Sequence, residues 1–589
     1  MEEVSLRIGD KVFKANQELL CEYSDYFRAM FSGHYVESEK QEINIEMLDP
    51  NIMSIILTYM KIGMILLSEY PLSTVGEIAI AANFLQITEL IKQIQYVLDI
   101  QLSESNWLET MSIAQNASYS QLEHYSAAYG LYSFNSMKPE DIPTIEMLVW
   151  YLCHPYLGSE NEMHVFKFGF NWLLKNRRLE HTLLILACLD IRRVTNKTLI
   201  DLKEYLITYW DQNLDYFSNS LVPKVIDCLI KLTSKDVEIS ESSLCEHKTE
   251  LCDKFSERVW SELMSIVKHS RARLIKYVPV VPLWTLTDLR PDFSPHLLYT
   301  FEEDNGFEKY LEVAEKNLWG WNVAAWGLTK LVVVGGEHGR GTGIFMKDVK
   351  VYDTLKKTWT QFGVQLPPRR HAGVTTVGDL LYIVGGVGEF RIVLETAVVY
   401  DLKERSCRRI AKLPDAIQSP AVCTHNNKVY AAGHKNIYCY TTYGDKDCWE
   451  MVVYSDRRIG FMKSYNNYIY CMQSYYSNLY RFRPGTDNCL TCVASFSNVA
   501  PAAMCNSGDR LTVFTQGLFQ NESVILSVEE YKGEAKGEKT RVIFTQTGNK
   551  QVNDAAGSCS LVLTMPPLCK ELPQYHSQYL KEYYSMNKK

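Results

Sequence analysis

A chain of 589 residues exceeds what one hydrophobic core can serve, so several domains are expected. Apolar residues make up 46% and charged residues 22%, an ordinary globular balance, and a formal net charge of -8 argues against a general nucleic-acid binder, which needs a basic surface. The run from Ile52 to Leu67, broken by Lys61 and Gly63, is too short for a ~20-residue membrane span, and the acidic start Met1-Glu2-Glu3-Val4 lacks the apolar core of a signal peptide.

Residues 1–102 alternate short strands and helices. Val4 to Ile8 alternates in and out, Gly9-Asp10 turns, and Lys11 to Ala15 returns as a hairpin. Asn16 to Met30 spaces Leu19, Leu20, Tyr23, Tyr26, Phe27 and Met30 for one helix. A strand follows at Glu42 to Ile45. Asp49-Pro50 caps the next helix, and the apolar run it opens reads as a buried helix, a turn and a strand. Helices at Thr74–Leu85 and Glu89–Leu98 complete an α/β domain.

Residues 103–278 read as helical throughout. Ser159 and Glu162 are spaced for a capping box ahead of the stripe Val165, Phe166, Phe170, Trp172. Pro279, Pro282, Pro291 and Pro295 mark 279–295 as a stiff connector. Residues 296–570 then repeat about six times, and 571–589 form a tail. The clearest copies are Leu331 to Val334 with Gly335-Gly336, Tyr352 and Trp359, and Leu381 to Val384 with Gly385-Gly386 and Tyr400. Weaker copies start near Lys428, Tyr468, Leu511 and Leu561. A strand-rich period of ~40–50 residues indicates a β-propeller. With those apolar runs as inner strands, the last blade lacks its outer pair, which stands ahead of the first blade near His296–Phe301 and Tyr310–Ala314. The two ends of the repeat region should therefore share one blade, closed by the C-terminal strand.

No HExxH, G-x-S-x-G or Walker sequence occurs, so no catalytic residue is expected. Gly339 to Gly343 is glycine-rich but precedes a strand, whereas phosphate cradles need a helix N-terminus. His338, His371 and His434 fall in loops of different blades. The sixteen cysteines are scattered, with one close pair, Cys489 and Cys492. They read as thiols of a reducing compartment, cytosol or nucleus, and neither metal nor cofactor is expected.

Three blocks carry a resemblance: Val4-x-Leu6-x-Ile8-Gly9-Asp10-x-x-Phe13-x-Ala15, Ser24 to Phe31, and Ala81 to Ile87. In this order they resemble the BTB (POZ) domain. Leu148 to Leu152 and the Ser159–Leu173 stretch resemble the BACK domain, and the Gly-Gly, Tyr, Trp repeats resemble kelch motifs. The chain is thereby similar to the BTB-BACK-kelch family. The resemblance implies a substrate-recognition adaptor of a cullin-3 RING ubiquitin ligase, not itself an enzyme. Cullin-3 would meet Tyr35 and Glu37, which match a hydrophobic-x-Glu element of cullin-binding relatives. A protein substrate would meet Arg340, Arg370, His371, Arg391, Ser419 and Arg458, at the starts of inner strands and in the loops after Gly-Gly. A BTB homodimer is implied as well, weakened because little sequence precedes the first strand for a swapped helix. The charged pair of BTB repressors is replaced by Glu3 and Gln17. A non-ligase, actin-associated scaffold is the alternative.

Overall fold

The computed structural model describes residues 3–33, 42–159, 161–210, 220–235, 239–285, 296–313, 315, 317–363, 365–444, 446–496, 500–508, 510–518, 523–533, 540–568 and 571–586. The chain divides into two compact units, residues 1–273 with 565–589, and residues 274–564.

In the first unit, β1 (Glu3–Ile8) and β2 (Lys11–Asn16) form the expected hairpin, and β3 (Glu42–Asn44) adds in parallel to β1. The expected single helix is two, α1 (Gln17–Tyr23) and α2 (Asp25–Met30). Ser24 breaks it: its backbone is extended, and its hydroxyl accepts Phe27 N–H at 3.2 Å while donating to Leu85 O at 2.5 Å. Asp49 caps α3 (Pro50–Ile62) as anticipated, accepting from Asn51 N at 2.7 Å. Beyond α3 the expected strand is a single 3-10 turn, Leu67–Glu69. Next come α4 (Leu72–Phe84) and α5 (Thr88–Ile100). Their core runs past residue 102, because Ile113, Ala117, Tyr119 and Leu122 pack into it.

Ile113 and Leu122 belong to α6 (Trp107–Asn116) and α7 (Ser120–Tyr132), with Ala117 and Tyr119 in the turn between them, and these two helices open the helical region. It continues through α8 (Ile145–Leu152), α9 (Glu162–Lys175), α10 (Thr182–Leu186) and α11 (Asn196–Trp210). It closes with α12 (Val222–Thr233), α13 (Glu241–Glu246), α14 (Lys248–Phe255) and α15 (Glu257–His269). Asn161, not Ser159, caps α9 by accepting His164 N–H at 2.8 Å. Glu162 is instead buried against Arg273, with two contacts of 3.0 Å. The expected tail contains a helix, α16 (Gln574–Met586), that packs on this unit. Tyr579 donates to Glu180 O at 3.0 Å, and Tyr584 to Glu146 Oε1 at 2.5 Å.

The second unit begins with β4 (Val278–Thr285), inside the segment read as a connector. Pro282 misled that reading. It lies opposite the gap in the neighbouring strand and uses only its carbonyl, which accepts Asn553 N–H at 2.9 Å, a place where a sheet tolerates proline. β5 (His296–Glu302) and β6 (Gly306–Val313) follow, then a ribbon strand β7 (Leu318–Trp319). The first blade is β8 (Asn322–Trp326), β9 (Lys330–Val334), β11 (Val349–Asp353) and β12 (Thr358–Phe362), with β10 (Glu337–His338) pairing back to β7. The second is β13 (Gly373–Val377), β14 (Leu380–Val384), β15 (Ala397–Asp401) and β16 (Ser406–Ile410). The third is β17 (Val422–His425), β18 (Lys428–Ala432), β19 (Asn436–Tyr443) and β20 (Lys446–Tyr454). The fourth is β21 (Ile459–Tyr465), β22 (Tyr468–Gln473), β23 (Asn478–Phe482) and β24 (Thr491–Ser495). The fifth is β25 (Ala500–Asn506), β26 (Leu511–Leu518), β27 (Val524–Tyr531) and β28 (Arg541–Gly548). In the sixth, β29 (Lys550–Val552) and β30 (Cys559–Leu561) pair with β4, which continues into β5 and β6.

The two ends of this unit thus share a blade, as anticipated. Among the described residues, β8, β13, β17, β21, β25 and β30 neighbour one another in turn and return to β8. These are the innermost strands. The apolar runs at Leu331 and Leu381, read as innermost, are the second strands of their blades. The reason is burial: a second strand has a neighbouring blade on each face, so Leu331, Val332, Val333 and Val334 are all buried, whereas β13 on the channel is mostly half-exposed. Six apolar clusters fill the spaces between successive blades.

Candidate partner-binding rim of the propeller

Strands of a blade alternate in direction, so the entry to each innermost strand and the loop leaving the second strand lie at the same end. All six substrate-site candidates fall in these segments. Neighbouring entries are joined by backbone hydrogen bonds: His371 N–H donates to Gly320 O at 2.7 Å, and Ser419 N–H to His371 O at 2.8 Å. The Arg458 guanidinium continues the series, reaching Ser419 O at 3.3 Å and also donating to Gln418 O. Residues of four successive blades are therefore tied in one row. His371 and Ser419 take left-handed backbones, with φ of 52° and 49°.

The Gly-Gly pairs shape the same end. Gly336 and Gly386 have φ of 104° and 96°, and a Cβ on Gly386 would lie 2.7 Å from Arg370 O. Only glycine lets the loop approach the entry segment of its own blade so closely. The loop leaving β10 carries Arg340, whose guanidinium stacks 3.6 Å from the centre of the Trp319 ring. Arg370 forms an ion pair with Glu337, a buried carboxylate that also accepts Gly343 N–H at 2.8 Å. Arg370 is thereby largely spent on the β10 ribbon of the preceding blade. Burial, and then the charge of Arg391, push the Arg370 guanidinium below its ordinary range. Burial, followed by Arg370 and Arg340, pushes the His371 imidazole down. Arg340, Arg370 and Arg391 thus act on a common locality, while Arg458 stands two blades away. Arg340, Arg391 and Arg458 are exposed.

Sequence reasoning passed over the apolar part of this rim. Phe390 is 92% exposed, Tyr475 81% and Ile344 63%, each in a loop leaving a second strand. Phe390 and Arg391 both have positive φ, 52° and 62°, so the loop presents them on a fixed left-handed turn. Arg457 covers the Tyr476 ring at 3.8 Å. The signal was present in Gly388-Glu389-Phe390-Arg391-Ile392, a stretch whose large apolar residues sit outside any strand period. A surface of exposed aromatics together with exposed guanidinium groups fits an acidic peptide with an apolar anchor.

In the first unit, Tyr35 and Glu37 lie outside the described residues. Elsewhere in this unit, the described surface exposes Ile62, Met64 and Leu66, at 64%, 62% and 56%. Among the described residues, no helix is long and apolar enough to cross a membrane.

Comparison with known proteins adds two family models: a BTB/POZ domain over residues 1–102, and a Kelch motif over residues 368–414, which spans the second blade. Kelch-like protein 25 of Rattus norvegicus is 23% identical, covering 74% of this chain and 69% of that protein. The human Kelch-like protein 25 is 22% identical over the same shares. Kelch-like protein 28 of Homo sapiens is 31% identical over 113 residues, 19% of each chain.

Proposed function

From a chain that belongs to the BTB-kelch family, we propose a non-catalytic adaptor that joins a cullin-3 ubiquitin ligase to a protein substrate. The BTB domain and its helical extension dock the cullin and pair two copies of the chain. The propeller rim holds the substrate, and the chain works in the cytosol or nucleus. Such an adaptor contributes proximity, because two modules on one chain turn a bimolecular encounter into one at high effective concentration. The observation that carries the substrate half is the rim of Arg340, Arg391 and Arg458 with Phe390 and Tyr475 projecting beside them. Exposed apolar residues at Ile62, Met64 and Leu66 support a docking role for the N-terminal domain.

The test is co-purification of cullin-3 with the full chain. Tyr35→Ala with Glu37→Lys is expected to reduce retained cullin-3 by about tenfold or more. Failure of the wild type to retain cullin-3, where another adaptor retains it, would end this reading. Phe390→Ala with Arg391→Ala should keep the cullin and lose the partners that the propeller captures.

A further inference from the structure

Three buried side chains from three distant stretches converge in the first unit. Cys153 ends α8, Cys188 follows α10, and His576 lies in the first turn of α16. Their exposures are 3%, 3% and 0%, and their ligand atoms all lie within 4.8 Å of one another. Both sulfurs approach the same ring nitrogen: Cys153 Sγ is 3.4 Å and Cys188 Sγ 3.5 Å from His576 Nε2.

A neutral imidazole nitrogen has one lone pair or one hydrogen, so Nε2 can satisfy one of these thiols and not both. A cation on that lone pair accounts for both distances. Tetrahedral zinc, with bonds of about 2.3 Å to sulfur and about 2.0 Å to nitrogen, places sulfur and nitrogen about 3.5 Å apart. Charge agrees as well. Two thiolates cancel a divalent ion, as burial requires, and the nearby Arg273 guanidinium is already balanced by Glu162.

We propose that Cys153, Cys188 and His576 bind Zn2+ and that the ion fastens α16 to the helical region. Binding releases the two thiol protons to solvent and leaves one coordination position to a non-protein ligand. The sequence expectation of no metal site rested on local spacing, and no spacing rule joins residues 388 positions apart. In the competing arrangement no ion is bound, Cys188 donates to Leu184 O at 3.2 Å and Cys153 to the imidazole.

The experiment uses the full chain, purified with a thiol reductant and without chelator, with metal measured by plasma mass spectrometry. About one zinc per chain is expected, falling about tenfold in Cys153→Ser with Cys188→Ser and in His576→Phe. His576→Cys, which restores a ligand, should keep the metal. Exchange of Co2+ into the wild type should give a thiolate-to-metal charge-transfer band, a readout that stands even if a variant fails to fold. A wild type with less than about a tenth of an equivalent and no cobalt band would overturn the proposal. A Cys153–Cys188 disulfide in the metal-free native chain would do the same.

Discussion

Arg273 carries a full charge into the interior of the helical unit, and every group around it is arranged to hold that charge. Its side chain is 1% exposed. It meets both oxygens of Glu162 at 3.0 Å and donates to Leu152 O at 2.8 Å and His154 O at 3.0 Å. Asp190 accepts its backbone N–H at 2.9 Å. Replacing the arginine alone strands a buried carboxylate, which costs about 3–5 kcal/mol. Arg273→Met should therefore lower stability by that amount in urea denaturation, while Arg273→Met with Glu162→Met should recover most of it. This pair also shows where a local reading stops. Ser159 and Glu162 have the spacing of a capping box, but the partner that claims Glu162 stands 111 residues further on. The Ser24 break had a similar cause, since the acceptor of its hydroxyl is Leu85 O.

Single elements were legible wherever burial imposes a period. The N-terminal hairpin, the Asp49 cap and most propeller strands follow from alternation and turn residues. The order of strands within a blade did not, because unbroken apolar runs mark burial on two faces and not proximity to the axis. Blade three hid its signature for another reason. Tyr440 faces Trp449 across β19 and β20, with rings 5.3 Å apart at 52°, matching Tyr352 and Trp359 at 5.1 Å and 53°. The hairpin is longer, so a fixed seven-residue spacing misses it. Two propeller strands also carry a pH dependence. His296 Nε2 accepts Leu318 N–H at 2.9 Å, and His425 lies within reach of Ser464 Oγ and Asn426 Nδ2 at 2.8 and 3.1 Å. Burial lowers both imidazoles below the ordinary 6.5. As pH falls from about 6.5, the unfolded chain takes up protons that the folded propeller declines, so stability is present above that value and drains away below it. Equilibrium unfolding between neutral and mildly acidic pH should show the decline. His296→Gln with His425→Gln should lessen it, leaving the share of the other buried imidazoles such as His371.

At the scale of the whole chain, the order of α/β domain, helical region and propeller was readable, because each patterns its core over tens of residues. The make-up of the candidate rim was readable only in part. Its arginines follow from position within the repeat, but Arg370 is held by Glu337, and Phe390 and Tyr475 belong to loops that no period governs. The propeller holds together through its sixth blade, where Cys559 to Leu561 meet Val280 to Val278. A chain lacking residues 550–564 should retain most of its secondary structure by circular dichroism but lose the cooperative unfolding transition of the propeller unit. That same pairing sets a timetable for synthesis. Strand β4 is made early, yet its partner leaves the ribosome only after some 270 further residues, roughly half a minute at ordinary elongation rates. For that interval the newborn chain carries an unfilled edge and an apolar flank, which makes it a natural client of the chaperones that wait at the exit tunnel.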